Sequence, residues 1–257
     1  MTDDGEMSGQ VVLVTGGTKG IGRGITEAFL GAGAAVVMCG RSEPAAPIRV
    51  GQQTAVFITA DVRDPEAVAA LVTNTVEQLG RLDVLVNNAG GSPAADSSTV
   101  SPKFSKAIIE LNLLAPLVCA QQANAVMQSQ PEGGVILNIA SVSGLRPSPG
   151  TAAYGAAKAG LLNLTQTLAV DYAPKVRVNS ISAGLIRTDQ SHLHYGDEVG
   201  IAAVAATVPL GRMGDPGDIA NACLFLASPA AGYISGANLV IHGGGERPSY
   251  LDAADAG

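Results

Sequence analysis

The sequence predicts an α/β fold: a single doubly wound, Rossmann-type domain of about seven parallel strands flanked by helices. Three observations predict it. Short apolar runs rich in Val and Ile recur along the chain, each followed by a longer helical pattern. These runs do not alternate with polar residues, which is how strands buried on both faces read. The first run leads through a glycine-rich turn into a helix, as a dinucleotide-binding unit does.

The first strand is predicted at Val11–Val14. It enters Thr15-Gly16-Gly17-Thr18-Lys19-Gly20-Ile21-Gly22, and a helix follows near Ile21–Leu30. A second strand covers Val36–Cys39. Two prolines, Pro44 and Pro47, leave little room for a crossover helix before Val56, so a loop or one short turn is expected there. The third strand, Val56–Ile58, precedes a helix at Pro65–Leu79, with Pro65 in the first turn and Asp64 as N-cap. The fourth strand, Val84–Val86, precedes a helix at Phe104–Met127. The fifth, Val135–Ile139, precedes one at Ala152–Tyr172. The sixth, Val176–Ile181, is separated from the helix Pro216–Leu226, capped by Asp215, by a long stretch expected to be a mobile loop. Leu239–Ile241 is the seventh strand. No repeat, linker or composition shift divides the chain, so one domain is expected over 9–245, with tails at 1–8 and 246–257.

Composition narrows the function classes. Of 257 residues, 47% are apolar and 14% charged, which is rich for a solvated surface and points to burial at an oligomer interface. A net charge of -7 argues against a general nucleic-acid or membrane-surface binder. No apolar run approaches the roughly 20 residues that span a bilayer. Met1–Gly9 is acidic and polar, unlike a signal or transit peptide, so a cytoplasmic location is expected. Cys39, Cys119 and Cys223 are widely spaced in apolar runs, as small buried hydrophobes of a reducing compartment are. With no C-x-x-C pair and no His/Cys cluster, no metal site is expected.

In the glycine-rich turn, Gly16 permits the tight bend, Gly20 lets backbone approach a pyrophosphate, and Gly22 lets helix and strand pack closely. N–H groups at the helix start then face the anion. NAD-binding folds tend to carry an acid about 20 residues further on, for the ribose 2′-hydroxyl. Here the second strand ends Cys39-Gly40-Arg41. A guanidinium fork suits a 2′-phosphate, and Lys19 is a second nearby cation. Arg41 is either that reader or a solvated surface charge; the first reading predicts NADP(H), with NAD(H) as the alternative.

The fifth strand runs into Ser141, where open α/β sheets place their sites. Thirteen residues later comes Tyr154, and four after that Lys158, an i, i+4 pair on one helix face. An ammonium beside a phenol favours the phenolate, so a depressed Tyr154 pKa and proton transfer near neutral pH are expected. Tyr-x-x-x-Lys alone is common by chance. The ensemble carries the reading.

Thr15-Gly16-x-x-x-Gly20-x-Gly22, Asn87-Asn88-Ala89-Gly90, Ser141 and Tyr154-x-x-x-Lys158 resemble, in order and spacing, the short-chain dehydrogenase/reductase family over about residues 9–245. The chain looks most like the bacterial 3-oxoacyl-carrier-protein reductase type, which implies one Rossmann domain and a homotetramer. The resemblance implies that Tyr154 is the general acid/base. Lys158 would hold the nicotinamide ribose and depress the Tyr154 pKa, and Ser141 would orient the substrate oxygen. Asn112 would support a water linking Lys158 to solvent; its other reading is a polar residue relieving a kink near Pro116. Gly16, Thr18, Lys19, Gly20, Ile21 and Gly22 would bind the cofactor phosphates. Asp61 and Val62 would contact adenine, and Asn88, Ala89 and Gly90 would line the adenosine and ribose side. Gly184, Ile186 and Thr188 would hold the nicotinamide amide and pyrophosphate. Ala183 stands where the family usually has proline, which frees backbone at the nicotinamide pocket.

Arg187–Leu210 falls where the family closes over substrate. His192 and His194 there are ligand candidates or exposed loop residues. Arg146 is a contact for an anionic or thioester substrate, or a surface charge. Few aromatics and many Ala, Leu and Val residues suggest an apolar pocket for acyl, steroid-like or aliphatic ketones. Three functions follow: an NADP(H)-linked ketone or β-ketoacyl thioester reductase, a hydroxysteroid or alcohol dehydrogenase running oxidatively, and a non-catalytic dinucleotide-binding protein. The first two take a small-molecule carbonyl or alcohol substrate, with no nucleic acid or membrane as partner.

Overall fold

The computed structural model of the protein describes residues 6–246 and 250. Of the expected tails, 1–5, 247–249 and 251–257 lie outside the described residues, as does the side chain of His194. The chain opens with β1 (Val11–Thr15), α1 (Gly20–Gly31) and β2 (Ala35–Gly40), then β3 (Arg49–Val50), β4 (Gln53–Thr54) and β5 (Val56–Thr59). Next come α2 (Pro65–Leu79), β6 (Val84–Asn87), α3 (Pro102–Ile109) and α4 (Ala115–Ser129). After them run β7 (Gly134–Ser141), α5 (Ala152–Asp171), β8 (Val176–Ala183), α6 (His192–Tyr195), α7 (Glu198–Ala206), α8 (Pro216–Ala227) and β9 (Asn238–Ile241).

All seven predicted strands form, in one parallel sheet of order β5-β2-β1-β6-β7-β8-β9. Alternate residues of β1 serve the two faces. Val12 and Val14 pack with Ile25, Phe29, Ile219 and Cys223 of α1 and α8. Leu13 packs with Leu71, Cys119 and Leu168 of α2, α4 and α5. The order reverses between β1 and β6, which opens a crevice at the strands' C-terminal ends. The predicted caps form as well. Asp64 accepts from Glu66 N at 2.9 Å, and Asp215 accepts from Asp218 N at 3.1 Å, with Asp218 returning a bond to the Asp215 N–H.

Four expectations change. The interval after β2 holds no helix, but it is not plain loop: β3 and β4 make a two-residue antiparallel hairpin, with Gly51 at φ +59° in its turn. The helix predicted at Phe104–Met127 is broken by a π-helical turn, Glu110–Leu114, between α3 and α4. The stretch predicted as a mobile loop carries α6 and α7, the latter capped by Asp197 accepting from Val199 N and Gly200 N, both at 3.1 Å. Met7, assigned to the N-terminal tail, is buried in the α1 core, its N–H donating to Ala32 O. Pro102–Ser129 is also long and apolar enough, by length and composition, to cross a bilayer. Here it lies on the sheet through Ala115, Cys119, Ala120, Ala123 and Met127.

Candidate active site

A cleft of about 1200 Å³ follows the C-terminal ends of the strands at the switch point. Every residue singled out above as catalytic or cofactor-binding lines it, apart from Asn112. Its volume exceeds the ordinary range for one small ligand, which suits an extended cofactor plus a substrate.

The first wall is the β1–α1 turn. Gly16 and Gly20 have φ of +64° and +53°, in the left-handed region that favours glycine. A Cβ on Gly22 would stand 2.2 Å from Gly16 O and 2.4 Å from Asn88 Nδ2. Gly22 therefore lets the helix close onto its own loop, rather than onto the strand as expected. The first turn of α1 has no side-chain cap and no acidic residue, so its N–H groups suit a pyrophosphate and nothing there repels one. Thr15 braces the turn: its Oγ1 accepts from Asn88 N and Ala89 N, both at 3.0 Å, and Asn88 Nδ2 donates to Thr15 O at 2.9 Å. Thr15 was not among the site candidates, although it opens their motif.

The adenosine end gathers Arg41, Asp61 and Arg63. Arg63 donates to Asp61 through Nε at 3.0 Å, and this bond, with help from the Arg41 charge, holds the Asp61 carboxyl below its ordinary range. Asp61 thus shares its carboxylate with Arg63. Arg41 is exposed and forms no ion pair among the described residues, and its field on Asp61 puts it at the same corner. The shortened interval after β2 has not turned it out of the cleft.

At the other end Ser141 closes β7, and Tyr154 and Lys158 stand on α5. A hydrogen bond from Ser141 favours the Tyr154 phenolate, but burial outweighs it and pushes the phenol up. The expected depression by Lys158 does not occur. Lys158 Nζ donates to Ile139 O at 2.8 Å and lies 5.6 Å from the Tyr154 ring centroid, over the ring. Itself wholly buried, it is pushed down from 10.5 to about 8. Desolvation governs both groups because neither charge has a countercharge here.

Asn112 lies in the π-helical turn behind this wall. Its Oδ1 accepts from Gly91 N at 2.8 Å, and its Nδ2 donates to Gly91 O and Ile108 O at 3.0 and 2.9 Å. Its side chain is therefore committed to the loop after β6, and any water relay would have to run through other atoms. A Cβ on Gly90 would approach Asn112 Oδ1 to 2.7 Å and Lys158 Nζ to 3.3 Å, so the three groups are in contact. A buried amide chain lies beneath: Asn87 Nδ2 donates to Asn138 Oδ1 at 2.9 Å, and Asn138 Nδ2 to Thr165 Oγ1 at 2.9 Å. Asn87 belongs to the sequence motif; Asn138 is marked only by its place three residues before Ser141.

Gly184, Ile186 and Thr188 form the roof. Gly184 N donates to Ile241 O, and a Cβ on Gly184 would meet His242 Cβ at 2.6 Å, so β9 holds this backbone although Ala183 replaces proline. His192 is exposed, with Nδ1 3.1 Å from Asp189 O, and is not in the cleft wall; Tyr195 is. The side chain of His194 lies outside the described residues. The substrate wall is mixed rather than apolar. Ser148 Oγ lies 3.1 Å from Ser143 Oγ and 2.7 Å from Thr151 Oγ1, beside Val142, Pro149 and Leu185. Bulk composition could not reveal this, because the apolar residues went to the sheet faces.

The family model described as "Enoyl-(Acyl carrier protein) reductase" matches residues 16–246. The chain belongs to the short-chain dehydrogenase/reductase family. It is 36% identical over 245 residues to the 3α-hydroxysteroid dehydrogenase of Mediterraneibacter gnavus, covering 92% of this chain and 97% of that one. It is 35% identical over 248 residues to a 3-oxoacyl-[acyl-carrier-protein] reductase of Synechocystis, covering 93% and 97%. Among solved structures, the ligand-free aldohexose dehydrogenase of Thermoplasma acidophilum superposes with a TM-score of 0.85 at 30% identity, covering 93% of this chain and 94% of that one. As a short-chain dehydrogenase/reductase, the protein is an oxidoreductase acting on CH–OH or C=O groups, and its family binds NAD(P)(H).

Proposed function

We propose that this short-chain dehydrogenase/reductase works with NADP(H) on a ketone/secondary-alcohol pair, with a β-ketoacyl thioester or similar carbonyl as the first substrate class. The observation that carries the reading is one cleft wall holding Ser141, Tyr154 and Lys158 opposite a phosphate-fitting turn. Bound nicotinamide supplies or accepts the hydride. Gly16 and Thr18 to Gly22 would hold its phosphates, with Arg41 and Lys19 meeting a 2′-phosphate. Asp61 and Val62 would flank adenine, Asn88 to Gly90 the riboses, and Gly184, Ile186 and Thr188 the carboxamide end.

Ser141 orients the substrate oxygen, and the Tyr154 hydroxyl delivers a proton to it in reduction or removes one in oxidation. The raised phenol supports the donor role, since it stays protonated at neutral pH. Lys158 would hold the nicotinamide ribose, and Asn112 fixes the loop carrying Gly90 and Gly91 against it. Similarity to the Mediterraneibacter gnavus enzyme supports a second reading, oxidation of a hydroxysteroid. The three cysteines, buried and unpaired, support a reducing, cytoplasmic setting.

The test is Tyr154→Phe assayed with NADPH and NADH against acyl thioesters, steroids and small ketones. Turnover should fall by about 10²–10⁴ while NADPH binding, read by fluorescence, persists. Undiminished turnover would overturn the mechanism.

A further inference from the structure

The substrate end of the cleft carries one guanidinium on the loop that follows the candidate catalytic serine. Arg146 lines the cleft, and its backbone N–H donates to Val142 O at 3.2 Å, so it sits one turn beyond Ser141 on the same wall. The other cations of the wall stand elsewhere: Lys19, Arg23, Arg41 and Arg63 toward the phosphate and adenosine end, and Lys158 buried beneath Tyr154. Arg146 Nη1 donates to Pro147 O at 2.9 Å, and Nη2 bonds Glu246 Oε1. A guanidinium has five N–H donors, so further donors remain for a ligand.

Its partner carboxylate arrives from 100 residues further along the chain. Gly243, Gly244 and Gly245, at φ +63°, +100° and +90°, precede Glu246. Glycine carries such backbone without strain. Leu210 N donating to Gly243 O and Gly245 N donating to His242 O, both at 3.0 Å, fix it, so an incoming anion would turn aside the exposed Glu246 side chain and not its backbone. Tyr195, on α6, completes the cluster: burial raises its phenol, Glu246 raises it further, and Arg146 opposes, so the three groups are neighbours, with Arg146 and Tyr195 lining the cleft. The same wall carries the hydroxyl chain of Ser143, Ser148 and Thr151.

The geometry points to Arg146 as a specificity-determining residue that reads an oxyanion on the substrate, with the Glu246 carboxylate occupying that place until the substrate's own anion displaces it. A carboxylate or phosphate would gain a charge-assisted, two-pronged contact where Glu246 now bonds through one oxygen. The substrate class is therefore a carbonyl compound that bears an anionic group beyond the reacting carbon. This rests on the hydride-transfer reading above.

Two matched substrate pairs test it, assayed with NADPH on the full chain. One pair is a keto acid and its methyl ester. The other is an acetoacetyl coenzyme A thioester and the same acyl group on N-acetylcysteamine, which lacks the phosphates. The wild type should prefer the anionic member of one pair, and that pair identifies the anion as carboxylate or phosphate. Arg146→Leu should lower the anionic-to-neutral ratio of kcat/KM by about tenfold or more, through KM. Glu246→Gln should shift the ratio the opposite way, because it removes the internal competitor and leaves the guanidinium. A structural ion pair would give both variants the same direction of change. Equal use of both members in each pair, or a ratio unmoved by Arg146→Leu, overturns the inference and leaves hydride transfer standing. No turnover of the four compounds beside turnover of a steroid or a neutral ketone would also overturn the inference alone, and no turnover of any of these carbonyls would sink the underlying reading along with it.

Discussion

Tyr154 and Lys158 stand one helical turn apart, yet burial rather than mutual attraction sets their affinity for protons. The consequence for Lys158 has a definite sign. Its folded value, about 8, lies below the ordinary 10.5. Between those values the unfolded chain keeps a proton that the folded protein has lost, so stability rises with pH across that window. Below pH 8 both states carry the proton, and the buried ammonium opposes folding by about 3 kcal/mol. In urea unfolding of the cofactor-free protein, wild type should therefore gain on Lys158→Met by about 3 kcal/mol between pH 7.5 and 10.5. A difference that does not vary with pH would mean that the ammonium is solvated. At the same scale, the proposed NADP(H) preference rests on Arg41. Arg41→Ala should lower the NADPH-to-NADH ratio of kcat/KM by about tenfold, and an unchanged ratio would return Arg41 to an ordinary surface charge. The identities of Tyr154 and Lys158 were legible in their motif. Their ionisation was not, because desolvation depends on neighbours that the motif does not contain.

The β1–α1 turn is the element whose local sequence and tertiary packing agree most closely. Gly22 cannot bear a side chain, since a Cβ would run into backbone at Gly16 and the Asn88 amide that braces it. Gly22→Ala should destabilise by about 1–3 kcal/mol in urea and weaken NADPH binding at least tenfold by fluorescence titration. An alanine variant with unchanged binding would show that the helix start does not hold the phosphates. Other elements were harder to read. At the π-helical turn Glu110–Leu114 the sequence offered Asn112 and Pro116 as signs of a kink, but neither says that the helix changes pitch. The helix α7 is apolar on every side, with Val199 and Ile201 at opposite extremes of exposure, and such a run shows no amphipathic period. Its cap, Asp197 before Glu198, was the available signal. The β3–β4 hairpin is too short for any periodicity.

At the scale of the molecule, apolar surface remains uncovered. In Pro102–Ser129 only a third of the most apolar window is buried, leaving Leu114 47% exposed. Val170 at the end of α5 and Phe225 on α8 are exposed as well, and Leu239 lies on the edge strand β9. Exposed apolar side chains on both helical layers and on the edge strand are what subunit contacts would cover. We expect a homotetramer of 25.7-kDa chains by light scattering at micromolar concentration, and a monomer there would refute it.

The sequence by itself determined where along the chain the sheet strands fall and, Asn112 apart, a set of candidate site residues that line the cleft. Strand runs, caps and glycine turns are local chemistry, and local chemistry is written contiguously. Only the tertiary structure decided how those residues behave: which way Lys158 points, what Asn112 holds, and that Glu246 crosses to Arg146. Each depends on burial or on contacts between distant segments, and these exist only once the sheet has brought the strand ends together.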